Sequence, residues 1–340
     1  MPHADLDASL HRWPDLNAAH PSSGLFLGNG ASRALWRPFT YFSLFEEAQR
    51  VRHKPLSLTD QALFKSLGSE LFEPVLSALN TTVRINAALA ISSSAPLNRY
   101  YAIKEALIHA VRSVHIPWRL VPSDTLQRIN NELRNYQSVY SSNYDLLCHW
   151  AVSQAPDGFQ VLFDEEGDFD IRHTRNPGTR LLYLHGGLHL LKQQDGSTRQ
   201  RSANGSQLLD GFAVNTPGDV PLFVNEGSSD DKLKAIRSSD YLSWCLGELA
   251  NHQGGLCLFG QHLDSSDRHL LQAIGQARPT HLAIAIRALS DASIISQKQH
   301  YNQRFADLPE LPLYFFDASS HPLGAPDLEV PVPVQARKRR

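Results

Sequence analysis

The chain has 340 residues, 42% of them hydrophobic and 19% charged, with a formal net charge of −2. This composition supports a packed core, and the near-neutral charge argues against direct binding of nucleic acid or of a membrane surface. No apolar run reaches the roughly 20 residues of a membrane helix, and the polar, acidic start of the chain does not resemble a secretory signal.

Short apolar runs mark the predicted strands along the chain. Most of them are continuous rather than alternating, which is typical of strands covered on both faces, and helical patterns lie between them. The runs occupy residues 24–28, 137–142, 159–164, 180–186, 221–227, 255–260, 281–288 and 311–318. This alternation predicts an α/β fold with a doubly wound, mainly parallel sheet.

Three longer segments depart from this alternation. Residues 41–135 space their apolar side chains by three and four, which predicts a helical insertion beside the sheet. Residues 192–220 are polar and rich in glycine and serine, and they predict a mobile excursion that can act as a lid. We expect one α/β domain over residues 1–340, with a flexible basic tail at 331–340.

The three cysteines, Cys148, Cys245 and Cys257, lie singly in apolar sequence. Buried single thiols are typical of proteins from a reducing compartment, and the chain lacks a cysteine pair with zinc-ligand spacing. We therefore expect a cytoplasmic protein that binds no metal.

The first predicted strand ends at a glycine turn. Gly28 and Gly30 flank Asn29 at the point where a strand stops and a helix starts. Such glycines let backbone amides approach an anion closely, and a glycine also adopts a positive φ freely. Ser32 is a candidate helix cap or phosphate donor. Because Arg33 stands where the dinucleotide fingerprint has its third glycine, an ordinary strand–helix turn is the alternative.

Polar groups also follow three later strands, at the edge of the sheet where ligands bind in α/β proteins. Asn143 and Asp145 follow the second strand, where a helix N-cap is the alternative. His185 precedes two glycines and is either a general base or a buried turn histidine. Gly260 opens the loop "GQHLDSSDRH", which can face a ligand or simply lead into a helix.

Taken in order, four segments resemble the sirtuin-like NAD-binding family. The resemblance is to its divergent bacterial branch, called domain of unknown function 4917, and it covers residues 24–290. The segments are "LFLGNGAS", "SSNYDLL", "YLHGGLHLL" and "LCLFGQHLDSSDRHLLQAI". The resemblance implies a Rossmann-like fold. The positions that it assigns are Gly28, Gly30 and Ser32 for the NAD phosphates, Asn143 and Asp145 for the nicotinamide ribose, and His185 for catalysis.

The sequence departs from the family in three places, and these departures bear on which activity the resemblance implies. Ser141 and Ser142 replace the usual Thr or Gln near Asn143, the zinc cysteines of the deacylases are absent, and residues 41–135 are not the short substrate cleft of those enzymes. The last two departures argue against peptide deacylation. They favour the branch that cleaves NAD itself, often as an effector of bacterial antiphage defence.

The sequence therefore predicts an NAD hydrolase that releases nicotinamide. Its predicted catalytic residues are Asn143 and His185, and the predicted contacts to NAD are Gly28, Asn29, Gly30, Ser32, Asp145 and Gly260. A non-enzymatic sensor of NAD or ADP-ribose that acts through assembly is the alternative, and a protein deacylase ranks third. Expected partners are further copies of the chain or a co-encoded defence protein.

Overall fold

The computed structural model describes residues 7–39, 44–172, 177–193, 195–201, 220–224 and 228–332. Most of the predicted excursion at 192–220 and most of the predicted tail at 331–340 lie outside these residues.

The described residues form nine strands. In chain order these are β1 (Ser22–Leu27), β2 (Ser138–Ser141), β3 (Arg180–Tyr183), β4 (Gly186–Lys192), β5 (Thr198–Gln200), β6 (Val220–Phe223), β7 (Gly255–Phe259), β8 (Leu282–Ile286) and β9 (Leu313–Asp317).

Twelve α-helices belong to the same part of the chain. They are α1 (Trp13–Ala19), α2 (Asn29–Leu35), α3 (Leu44–Arg50), α4 (Leu58–Ser66), α5 (Phe72–Ala88), α6 (Ser94–Val114), α7 (Ser123–Leu133), α8 (Leu147–Gln154), α9 (Ser229–Arg237), α10 (Asp240–Ala250), α11 (Arg268–Ala277) and α12 (Asp291–Arg304).

The main sheet has six parallel strands in the order β3-β2-β1-β7-β8-β9. The strand order therefore reverses between β1 and β7, as in doubly wound nucleotide-binding folds. The predicted α/β, Rossmann-like fold with a mainly parallel sheet is confirmed. At such a reversal the helices that follow the two central strands lie on opposite faces of the sheet, and ligands bind there beyond the carboxyl ends of the strands.

Both faces of this sheet are covered, which explains the continuous apolar runs. Successive side chains of a strand point to opposite faces. Leu25 and Leu27 accordingly pack in one apolar cluster with Ile103 of α6, whereas Phe26 packs in a second cluster with Leu242 of α10. The helices α3 to α7, which fall within residues 41–135, thus share a core with one face of the sheet.

Two predicted strands differ from the structure. Residues 159–164 form isolated bridges at Phe159 and Phe163 rather than a sheet strand. Of the run 221–227, residues up to 223 belong to β6, which pairs with β4 in a small antiparallel sheet, and Glu226 and Gly227 lie outside the described residues.

The small sheet also contains two strands that the sequence analysis did not predict, β4 and β5, and β5 lies within the segment 192–220 that was expected to be a mobile excursion. Gly186 has φ +75, so the chain turns sharply after His185 and begins β4 at once. The run "YLHGGLHLL" therefore holds two strands in different sheets. Of the helices in the described part of the chain, none has the length and apolar character needed to cross a membrane.

Candidate functional site

The glycine turn after β1 lies directly against the turn after β7. Gly28 N–H donates to the carbonyl of Phe259 (3.0 Å), and Gly30 N–H donates to the carbonyl of Gly260 (2.8 Å). Gly28 is extended, with φ −112, and precedes α2. The positive φ predicted for this turn belongs to Gly260, at +70, and not to Gly30. The two turns at the reversal of the strand order are therefore joined backbone to backbone.

Glycine is required here because the two turns approach so closely. A Cβ atom on Gly30 would lie 2.7 Å from Cα of Gly260, and a Cβ atom on Gly260 would lie 2.3 Å from the nitrogen of Ala31. Both glycines and Asn29 remain half-buried rather than fully covered. The edge Asn29–Gly30–Gly260 is therefore open to a ligand, although the Gly30 amide is already bonded within the protein.

The variant Gly260→Ala is expected to lower the free energy of unfolding by about 3 kcal/mol. Overpacking costs roughly 1–3 kcal/mol, and a left-handed residue with a Cβ atom costs about 1–2 kcal/mol more. The matched control is Gly247→Ala within α10, where an added Cβ meets nothing within 4 Å. That change is expected to raise stability by roughly 0.5–1 kcal/mol. Urea unfolding measures both, and equal effects would contradict the close approach.

Behind this turn, a buried hydrogen-bond network joins the ends of β1 and β2. Nδ2 of Asn143 donates to the carbonyl of Gly28 (3.0 Å) and to Oγ of Ser32 (2.9 Å), which in turn donates to Oδ2 of Asp145 (2.5 Å). The three polar side chains are all buried. Because both hydrogens of the Asn143 amide are used, its Oδ1 atom is the one left to accept a hydrogen bond from a ligand.

This network changes the roles that sequence reasoning gave to Ser32 and Asn143. Ser32 lies inside α2, so it does not cap that helix, and its hydroxyl hydrogen is donated to Asp145. Asn143 does not cap α8, which begins at Leu147, whose backbone N–H donates to Oδ1 of Asp145 (2.9 Å). Asp145 therefore connects the start of α8 to the glycine turn.

Two further residues complete the network, and the sequence analysis did not assign them a role. His115, which follows α6, accepts from the N–H of Leu146 through Nε2 (3.0 Å) and donates to the carbonyl of Ile116 through Nδ1 (2.8 Å). Gln261 is buried beside Gly28 and accepts from the hydroxyl of Ser142 (3.0 Å). The residue that follows α6 and the loop after β7 thus both support the turn.

His185 lies in a separate group just beyond β3. Its Nε2 atom is 2.9 Å from Nε2 of His269 in α11, and Nδ1 of His269 is 3.0 Å from the hydroxyl of Ser229 at the start of α9. Both histidines are 3% exposed, whereas Ser229 is half-buried. The three side chains form a chain of hydrogen bonds that leads from the buried His185 towards the surface.

Burial keeps both of these histidines neutral near pH 7. It lowers the pKa of His185 well below its usual range, and the charge of Lys232 adds to this shift. Burial also lowers the pKa of His269 to about 4. Lys232 itself bonds to Asp267 at 2.9 Å. Two neutral imidazoles 2.9 Å apart share one proton, which one ring donates and the other accepts.

The same group contains the donor atoms of a possible metal site. His185, Asp267 and His269 bring one ligand atom each within 4.8 Å of one another. Lys232 already pairs with Asp267, however, and its positive charge opposes a cation at this place. The arrangement favours proton transfer, and the absence of a required metal remains a prediction.

The structure therefore divides the predicted site residues into two groups. Gly28, Gly30, Ser32, Asn143, Asp145 and Gly260 meet at the reversal of the strand order, with Asn29 at its edge. His185 bonds to His269 instead, although β2 and β3 are neighbours and the N–H of Leu184 donates to the carbonyl of Ser141 (2.8 Å). The predicted loop "GQHLDSSDRH" contributes to both groups, through Gly260 and Gln261 to one and through Asp267 and His269 to the other.

Comparison with known families now adds to this geometry. Residues 25–323 match a family described as "Domain of unknown function (DUF4917)". The chain belongs to this family. The membership predicted from the sequence segments is confirmed, and the matched region of this DUF4917 protein includes all of the site residues described above.

Comparisons with individual proteins carry less information. The DUF4917 chain is similar to a solved structure described as "Structural Basis for the Mechanism and Regulation of Sir2 Enzymes", with 15% sequence identity, 92% of each chain covered and a TM-score of 0.36. At this level the sirtuin relationship is a distant structural similarity and supports no conclusion about activity. No curated protein matches the sequence.

Proposed function

We propose that this DUF4917 protein binds NAD across the carboxyl ends of β1, β2 and β7 and hydrolyses the bond between nicotinamide and ribose. The observation that carries the proposal is the joined pair of glycine turns at the reversal of strand order, with Asn143 bonded directly to the first turn. Dinucleotides bind at this place in doubly wound sheets. The half-buried edge Asn29–Gly30–Gly260 offers the closest backbone approach for a pyrophosphate.

The buried network fits the charge that this reaction develops. Loss of nicotinamide leaves positive charge on the ribose, and a preorganised negative group stabilises such a charge most strongly away from water. Asp145 supplies a buried carboxylate, and Oδ1 of Asn143 supplies an acceptor for the attacking water or for a ribose hydroxyl. In this proposal Ser32 holds the two side chains in place instead of contacting phosphate.

His185 acts in the proposal as the acceptor of the proton that the attacking water or a ribose hydroxyl releases. In one tautomer, its Nε2–H donates to His269, and Nδ1–H of His269 donates to Ser229, so Nδ1 of His185 keeps a lone pair for the proton. The protonated ring then passes its Nε2 proton to His269, and the Nδ1 proton of His269 moves to Ser229 as the serine hydroxyl releases its own proton to solvent. The overall reaction consumes one water and yields nicotinamide, ADP-ribose and one proton.

A non-enzymatic sensor of NAD or ADP-ribose is the second candidate. It is favoured by the bonding of His185 to His269 and of Asn143 to Ser32, because each side chain is already engaged within the protein. A binding protein needs the glycine turns but neither of these side chains. In either case we propose a role in antiphage defence, as a homo-oligomer or with a co-encoded protein.

Incubation of the purified chain with NAD distinguishes the candidates. We expect nicotinamide and ADP-ribose to appear in equal amounts by chromatography, without an acylated peptide in the reaction. Saturable NAD binding by calorimetry with no nicotinamide release would support the sensor. Nicotinamide release only in the presence of an acylated peptide would support the deacylase, and no binding at all would contradict the proposal.

A further inference from the structure

A second set of side chains that can bind a metal ion lies where the loop between β7 and α11 meets α12. His262 and Asp264 belong to this loop, and His300 belongs to α12. One ring nitrogen of each histidine and one carboxylate oxygen of Asp264 lie within 4.8 Å of one another. The sequence analysis did not group these residues, because His300 lies 38 residues after His262.

The backbone of the loop directs His262 and Asp264 to the surface. Leu263, which stands between them, is fully buried and has φ +56. Bulky residues rarely adopt this left-handed conformation. With Leu263 held in the core, the side chains of its two neighbours are 51% and 52% exposed. Both therefore point away from the core and towards solvent.

Two consecutive residues of α12 donate hydrogen bonds to the backbone of the loop. His300 donates through Nε2 to the carbonyl of His262 (2.7 Å), and the hydroxyl of Tyr301 donates to the carbonyl of Gln261. Metal-binding histidines commonly donate one ring N–H to a carbonyl, which orients the ring and leaves the other nitrogen as the ligand. His300 has this arrangement, with Nδ1 as the remaining nitrogen.

The three side chains are already packed together. The rings of His262 and His300 stack with centroids 4.1 Å apart and an interplanar angle of 3°, and Nε2 of His262 is 3.4 Å from Oδ1 of Asp264. Ligand atoms in a tetrahedral site with bonds of about 2.0–2.2 Å are about 3.3 Å apart. Rotation of the exposed His262 ring out of the stack, together with shifts of about 1 Å, brings the ligand atoms to that spacing and directs the lone pairs of the two rings to one point.

We propose that His262, Asp264 and His300 bind a divalent transition-metal ion of the zinc class, with water completing the coordination. Two imidazoles and one carboxylate suit zinc, cobalt and nickel better than magnesium or calcium. Asp264 pairs with His262, which can itself be a ligand. Asp267 of the buried group pairs instead with Lys232, whose positive charge opposes a metal ion. A bound ion would brace the loop that begins with Gly260 against α12. This proposal departs from the metal-free protein expected from the cysteines, and it does not depend on NAD cleavage.

The test uses the full chain without a histidine tag, freed of metal by dialysis against a chelator. Calorimetric titration with zinc chloride is expected to show one ion per chain, and cobalt chloride to give the visible absorption of a low-coordinate site. His262→Ala and Asp264→Asn are each expected to weaken binding at least about 10-fold, since losing even an outer partner costs 10–100-fold.

The matched control is His53→Ala. His53 is exposed and also neighbours a second histidine, His109, but the two ring centroids are 6.3 Å apart. We expect this variant to bind zinc as the wild type does. The proposal is overturned by the absence of saturable binding, by unchanged affinity in both loop variants, by equal weakening in the control, or by loss of binding only in His269→Ala.

Discussion

Replacing His185 by alanine is expected to slow nicotinamide release from NAD by about 10²–10⁴-fold, the usual contribution of general acid–base catalysis. The ring is buried, uncharged and hydrogen-bonded to His269, so it is oriented before substrate arrives. Binding of NAD should change far less than the rate, because the glycine turns remain intact. Chromatographic rates and calorimetric affinities on the same samples measure the two effects.

Asn143→Ala is expected to cause a loss of similar size. This change removes the Oδ1 acceptor and two hydrogen bonds that Nδ2 makes, so we also expect stability to fall by roughly 1–2 kcal/mol. If Asn143 and His185 act on one ribose, the double variant should be little slower than either single variant, since residues that work as a unit are non-additive.

His269 is a positioning residue in this scheme, and its replacement should have a distinct signature. We expect His269→Asn to lower kcat more than it changes KM, and to shift the pH profile of the rate, because His185 loses its ring partner. A purely structural role of His269 would lower the melting temperature and leave the pH profile of the remaining activity unchanged.

The control for these variants is His252→Ala. His252 is a buried histidine like His185, but it lies before the amino end of β7, where its ring approaches Ser23 and the hydroxyl of Tyr140. Its loss should reduce stability and leave the rate of NAD cleavage close to that of the wild type. Wild-type rates in folded His185→Ala and Asn143→Ala, or an equal loss in the control, would contradict the catalytic assignment.

The main sheet was predictable because strands that are buried on both faces consist mainly of apolar residues. Most of its six strands are short, continuous apolar runs, and Leu25 and Phe26 show the cause by packing into opposite layers. The strand β4 was missed because the backbone turn at Gly186 divides one apolar run into two strands. A positive φ at one glycine cannot be read from the order of apolar residues.

The candidate site was predictable only in part, for a related reason. Residues directly after parallel strands must meet at one edge of the sheet, so Gly28, Asn143 and Gly260 were identified together. Their partners come from elsewhere in the chain: His115 is 31 residues from Leu146, and His269 is 84 residues from His185. Contacts over such separations depend on how helices pack, and local patterns carry no information about them.

The buried histidines should also make the protein sensitive to acid. His149 of α8 and His189 of β4 stack with ring centroids 4.4 Å apart, and each has one buried ring nitrogen without a hydrogen-bond partner. Burial lowers the pKa of His149 from 6.5 to about 4, and it also lowers the pKa of His189 well below its usual range. Each ring therefore takes up a proton far more readily in the unfolded chain than in the folded one.

The sign of the effect follows from this difference in proton uptake. Between pH 6.5 and pH 4 the unfolded chain binds more protons, so stability that is present above pH 6.5 is lost as the pH falls. For His149 the loss between pH 7 and pH 5 is about 2 kcal/mol, and His189 adds to the loss in the same direction. The loss of about 2 kcal/mol from His149 alone is a substantial part of the roughly 5–15 kcal/mol that holds a typical protein folded.

The variant His149→Phe isolates this contribution. Phenylalanine keeps an aromatic ring stacked on His189 but does not titrate, and it removes the unpartnered Nε2 atom. Urea unfolding at pH 7 and pH 5 should show a loss of stability about 2 kcal/mol smaller than in the wild type. The control His53→Phe, at an exposed position, should keep the wild-type loss. Identical pH dependence in His149→Phe and in the wild type would mean that the stacked pair is not the source of the acid sensitivity.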